Sequence, residues 1–221
     1  MKQWTTSMTA GLLLTMGILT GGPVSADQGQ RYSVTITNLT RGQVITPPVI
    51  VSHKPEFELF TPGAPAIPEL TALAEDGPTA PLIGYLAGQS AVLDFTAAPG
   101  PLLPGTSVTL EINTSGGFNR ISAVGMLAST NDAFFGIRGV TVSKNEPKTV
   151  EAEAYDAGSE GNSESCAFIP GPPCGSAGVR DTASAEGFVH IHAGIHGVGD
   201  LVPATHDWRN PVAEIKIERV H

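Results

Sequence analysis

Basic residues are scarce in this chain: 12 Lys and Arg stand against 21 Asp and Glu, a formal net charge of −9 over 221 residues. That balance excludes the clustered cations a nucleic-acid binder needs to displace phosphate counterions. Cysteine is nearly absent, with two in the whole sequence, and they are not in the Cys-x-x-Cys spacing of a dithiol redox motif or thiolate metal site. No later apolar run approaches the about 20 residues that a membrane-spanning helix requires. A Gly-x-Ser-x-Gly nucleophile elbow is missing, and neither cysteine has a base at a telling spacing, so nucleophilic catalysis finds no support and a non-enzymatic role is expected. Repeats and linkers are also lacking, which leaves one domain.

The N-terminus indicates where the chain works. Lys2 supplies a weak positive start, residues 8–19 are apolar or small, and Val24, Ser25 and Ala26 offer the small residues that a signal peptidase reads. Residues 1–26 therefore read as a secretory signal, and residues 27–221 as an exported domain, secreted or periplasmic, with no membrane span. Losing Lys2 leaves 11 basic against 21 acidic residues, a mature net charge of −10. In an exported protein that excess favours solubility and can concentrate cations. Export also makes a Cys166–Cys174 disulfide the expected state of the two thiols.

Period-two alternation dominates the rest. Residues 31–38 (RYSVTITN), 107–112 (SVTLEI) and 212–220 (VAEIKIERV) alternate polar and apolar side chains, the pattern of a strand with one buried face. Further strands are expected over 49–52, 90–95, 121–127, 140–142, 149–154 and 187–192, separated by Gly and Pro. About eight or nine strands in all predict an all-β fold, an antiparallel β-sandwich. One short helix is expected over 66–77, where Pro68 opens the first turn, Leu70, Leu73 and Ala74 share a face, and Gly77 stops it.

Chemistry concentrates in three places. Residues 155–162 (YDAGSEGN) place Asp156, Glu160, Ser159 and Asn162 oxygens in a turn with two glycines, donors suited to a hard cation such as Ca²⁺ or to an ordinary solvated turn. In residues 187–197 (GFVHIHAGIHG), His190 and His192 would lie on one side of a strand, about 7 Å apart at the base. With His196 returning from a turn they form the alternative, a Zn²⁺ or Cu²⁺ site that an open position would make a metal-dependent hydrolase. Around Trp208, Asp207 and Arg209 read as an ion pair that pins the loop entering the last strand, with a recognition surface as the alternative.

Thr130-Asn131-Asp132-Ala133-Phe134-Phe135-Gly136 resembles a Ser-Pro-Asp-Trp-Phe-Val-Gly motif, and Tyr155-Asp156-Ala157-Gly158-Ser159-Glu160 resembles Trp-Asp-Ala-Gly-Thr-Asp. Residues 32–40 and 211–220 resemble the first and last strands of the same family, the spondin N domain, and the four matches occur in order. The resemblance implies a C2-like β-sandwich of the kind found in secreted matrix and adhesion proteins, with Ca²⁺ held by acidic loop residues. Here those would be Asp132, Asp156 and Glu160. It further implies that the ion orders loops which bind an extracellular protein or glycan. Asn131 and Ala133 replace the motif's Pro and Trp, and Glu160 stands where the pattern has Asp.

Overall fold

A computed structural model describes residues 29–220, together with Met1 and Trp4. Those two apart, the expected signal at residues 1–26 lies outside the described residues.

Alternation in the sequence becomes, among the described residues, nine antiparallel strands: β1 Gln30–Asn38, β2 Val49–His53, β3 Val92–Ala97, β4 Ser107–Thr114, β5 Arg120–Met126, β6 Ala133–Thr141, β7 Lys148–Asp156, β8 His190–Ile191 and β9 Ala213–Arg219. They run in the order β3-β2-β5-β6-β7-β9-β1-β4, with β8 added to β7. The all-β expectation therefore holds. Segment 140–142 forms the end of β6 instead of a strand of its own, and the expected strand over 187–192 contracts to two residues between the left-handed Gly187 and Gly194.

The sheet is nearly closed, and its two halves pack face to face. Tyr32, Val34 and Ile36 of β1, Ile112 of β4 and Ile215 and Ile217 of β9 meet Ile50, Ile121, Ala123, Phe135 and Ala154 across one dry core. At the open seam Asp94 Oδ2 on β3 accepts hydrogen bonds from the N–H and Nδ2 of Asn113 on β4, both at 2.8 Å, and Ser52 Oγ donates to the Asn113 carbonyl at 2.6 Å.

Among the described residues three helices form where one was expected: α1 Pro68–Asp76, α2 Ala80–Ala87 and the single turn α3 Pro203–His206. Pro68 opens α1, and Gly77 at φ 77° closes it by donating its N–H to the Leu73 carbonyl. Helix α2 escapes sequence reasoning because a short apolar run after Gly-Pro carries no helical period. Leu82 and Leu86, four residues apart, nevertheless bury fully beside Leu70 and Leu73. These two helices cover the outer face of β2, β5 and β6 in a second core with Val49, Val51, Val124, Met126 and Phe134. That cover explains why every residue of β2 is buried, a both-faces pattern that alternation alone does not anticipate.

Candidate metal centre

The centre arises from a change of partners along β7. Residues 148–152 pair with β9, whereas Glu153 to Asp156 pair with β6, and Tyr155 and Asp156 pair with β8 on the other side. Asp156 is thus directly opposite Ala133 on β6 and His190 on β8. Opposed residues in a ladder share a face, so register alone sets the two side chains together, with Asp156 Oδ1 3.6 Å from His190 Nε2.

Asp132 enters from the residue before β6. Its carbonyl accepts the Ala157 N–H at 3.2 Å, and its Oδ2 accepts from Ser159 N–H at 2.8 Å, Glu160 N–H at 3.0 Å and Ser159 Oγ at 3.1 Å. Asp156 ties the turn from within, receiving Gly158 N–H on Oδ1 and Asn162 Nδ2 on Oδ2, both at 2.6 Å. These bonds are turn chemistry, but the turn is not solvated: Asp132, Asp156 and Glu160 are each 0% exposed. Glu160 faces away from the histidines. Its Oε1 accepts the Asp181 N–H at 3.1 Å and lies 3.7 Å from Arg180 Nε, whose guanidinium also pairs with Glu75 and Asp76 at the end of α1.

Gly158 shows how tightly this turn is built. It sits at φ 69°, and a Cβ there would lie 2.3 Å from the Phe188 carbonyl oxygen and 2.6 Å from the Phe188 nitrogen. Backbone strain and a collision with backbone atoms that cannot step aside combine, so Gly158→Ala is expected to cost about 2–3 kcal/mol. Urea denaturation checks this, and an unchanged midpoint would show that the turn yields.

Burial dominates the electrostatics. It pushes the Asp132 carboxyl up to about 7, with the Asp156 charge adding to the effect. It pushes Glu160 up to about 8 against the opposing pull of the Asp181 amide and Arg180. Asp156 is raised too, by burial that outweighs the bonds from Asn162 and Gly158 and the neighbouring His190. A carboxylate cluster of this kind is poorly compensated without a cation.

The histidines divide. His190 Nδ1 lies 3.0 Å from the Ile191 carbonyl, which assigns its proton to that nitrogen and leaves the Nε2 lone pair facing Asp156 and, at 3.8 Å, Glu186 Oε2. Burial opposes charge on this ring, but the Ile191 carbonyl, Asp156 and Glu186 together hold it above the ordinary histidine value. His192 has a 2% exposed side chain, and its Nε2 is 4.0 Å from Asp156 Oδ2. Its Nδ1 accepts the Gly194 N–H at 2.9 Å, and its ring packs on Trp208 with centroids 5.0 Å apart. Burial lowers it to about 3, which keeps it neutral. The His196 side chain is not gathered onto Asp156, and its backbone N–H donates to Glu164.

Among the described residues, Asp156, Glu186 and His190 bring ligand atoms within 4.8 Å of one another. Sequence reasoning placed Asp156 and His190 in competing sites and missed Glu186. Its only signal is a glutamate four residues before His190, folded back by Gly187 at φ 81°.

Cys166 and Cys174 form the expected disulfide. Trp208 is 7% exposed and belongs to the core between the sheet halves. Asp207 accepts the Ile195 N–H at 3.0 Å and contacts Arg209. Away from the centre, a cleft of about 730 Å³ is lined by Arg120, Arg138, Glu153 and Tyr155, with His53 and Ser122 on its wall. His53 Nε2 is 2.8 Å from Ser122 Oγ, the distance of a base–nucleophile pair, but both residues are 1% exposed and Ser122 Oγ already accepts the Gly139 N–H. None of the described residues forms a helix long and apolar enough to cross a membrane. Compared with known protein families and with curated proteins, the chain matches none.

Proposed function

We propose that this chain is an exported binding module of the spondin N type, in which a divalent cation orders the end loops and those loops meet an extracellular protein or glycan. One observation carries the proposal: Asp132, Asp156 and Glu160 are fully buried in one loop cluster, and Asp132 Oδ1 and Glu160 Oε2 make no hydrogen bond. Arg180 reaches only Glu160 among the three. A buried, unpartnered carboxylate oxygen is costly unless a positive charge neutralises it, and a cation would be that charge. Ca²⁺ is the ion that an oxygen-only set would take, completing its six to eight ligands with carbonyls and water.

The family reading is supported by the order of the four sequence motifs, two of which fall on Asp132 and Asp156. Phe188 and Ile191, 43% and 49% exposed, flank His190 and give the loop surface apolar contacts for a partner. The role is binding, without catalysis.

Melting the chelated protein against added Ca²⁺ and other divalent cations tests the proposal. At a hundredfold excess over Kd, ligand linkage supplies about 2.7 kcal/mol, or roughly 5–10 °C in a domain of this size. Asp156→Ala should abolish that rise. No rise with any divalent cation, or an equal rise in Asp156→Ala, overturns the proposal.

A further inference from the structure

We infer that the ion held at this end of the sheet is a first-row transition dication, bound by His190 Nε2, Asp156 Oδ1 and Glu186 Oε2, rather than calcium bound by carboxylates alone. The inference rests on the proposed function only in taking Asp156 as a cation ligand.

The His190 imidazole is prepared as a ligand. Its Nδ1–H is held by the Ile191 carbonyl at 3.0 Å, the way metal-binding histidines fix their second nitrogen. The remaining nitrogen, Nε2, is buried and has no hydrogen-bond partner. It faces Asp156 Oδ1 at 3.6 Å and Glu186 Oε2 at 3.8 Å. Both distances are too long for hydrogen bonds. They are close to the separation of donors around a shared ion, since ligands about 2.1 Å from a tetrahedral Zn²⁺ are about 3.4 Å apart.

An independent observation points to the same spot. His192, with a 2% exposed side chain, aims an unpartnered Nε2 at the other oxygen of Asp156, 4.0 Å away. The Gly194 N–H occupies its Nδ1, so its proton lies on Nε2 and it cannot ligate through that atom. At 4.0 Å its N–H makes no hydrogen bond to Asp156 without the ion; its positioning role is to receive Oδ2 as the carboxylate turns toward the ion. Asp132 Oδ1, also buried and unpartnered, adds negative charge to the centre. Glu160 stays outside the three-ligand set: its Oε1 accepts the Asp181 N–H and lies 3.7 Å from Arg180 Nε, and only its Oε2 is unpartnered.

An imidazole with two carboxylates fixes the class of ion. Calcium takes oxygen ligands, whereas imidazole nitrogen suits zinc and its first-row neighbours, and mixed carboxylate–imidazole sets also hold manganese. The arrangement without metal would be an imidazolium lying between two carboxylates.

The test uses the full chain, stripped with chelator and dialysed at pH 7.5, titrated calorimetrically with Zn²⁺, Mn²⁺ or Ca²⁺ alone and melted in parallel. Zn²⁺ or Mn²⁺ is expected to bind one per chain and raise Tm, with Ca²⁺ at least about tenfold weaker. His190→Ala and Glu186→Gln alter side chains 28% and 32% exposed, so both should fold and lose at least about tenfold in affinity. His192→Phe should weaken binding by about 10–100-fold while keeping one site, the usual range for a residue that orients a ligand. His196→Ala should bind as wild type does. Zn²⁺ binding that survives in His190→Ala, or is lost in His196→Ala, overturns the inference. A Ca²⁺ response with none to Zn²⁺ or Mn²⁺ overturns it while leaving the proposed function standing. Silence toward every ion overturns both.

Discussion

Glu164→Ala is expected to destabilise the protein by about 3 kcal/mol, the largest loss from any single side chain outside the two cores. Glu164 is 3% exposed, and its carboxylate receives three successive backbone amides: His196 at 2.5 Å, Gly197 at 2.7 Å and Val198 at 3.0 Å. Consecutive N–H groups turned toward one anion form a concave nest, and hydrogen bonds to a charged group contribute about 1.5–3 kcal/mol each. The three donor residues are exposed, so water recovers part of the loss and the total stays below the sum. Glu164 itself holds φ at 53°, a strain that alanine keeps and therefore does not offset. Gln is expected to rescue little, because its NH₂ group must face an N–H donor. The readouts are a melting midpoint lower by about 6–12 °C and faster amide exchange at residues 196–198. An unchanged midpoint would show that the nest contributes nothing.

The second large effect is a dependence on pH whose sign is opposite to that of ordinary salt-bridged carboxylates. Burial holds the Asp132 carboxyl at about 7 in the folded protein, against an ordinary value of 3.8. The folded state therefore holds this proton more tightly than the unfolded chain does. Stability from this group is fully present below the unfolded value and is lost as pH rises through about 7. A difference of about 3 pH units corresponds to roughly 4 kcal/mol. Glu160, at about 8, and the raised His190 act in the same direction. Asp76 is lowered, because burial is outweighed by Arg180 and the Gly178 amide. Asp207 is also lowered, as burial yields to the bonds from Ile195 and Arg209. Both contribute stability lost on acidification. The metal-free protein should thus be most stable at about pH 4, between the lowered and the raised carboxyls, and its Tm should fall on the order of 10 °C by pH 8. Asp132→Asn should flatten that slope. Added cation should restore Tm at pH 8 and do little at pH 5, where the carboxyls keep their protons. A chelated protein that gains stability between pH 5 and 8 would contradict this account.

What the sequence reveals follows from where water is. Strands β1, β4 and β9 have one face in solvent, so their alternation marks them within a residue or two of their observed ends. Where both faces are covered the period disappears. The apolar run of β2 therefore reads as a strand, while the helices that cover it leave little trace beyond α1. At the candidate metal centre, Asp132 and Asp156 are legible because glycines and neighbouring oxygen donors surround them in the chain. The pairing of Asp156 with His190 is not legible, since it depends on the register of a strand only two residues long. Glu186 and Glu164 are silent for a related reason: each acts on atoms brought near by folding, and in Glu164 the partners lie 32 to 34 residues away.

The Asp94–Asn113 contact at the seam bears on how this protein can meet another. An unpaired strand edge is a template on which a foreign strand can extend the ladder. Here Asp94 and Ser52 occupy both the N–H and the carbonyl of Asn113, so the seam does not offer that template at this point, near the end of β4. A partner of the proposed kind would therefore meet side chains on the loops rather than add a strand, and one substitution there could change it without disturbing the sheet.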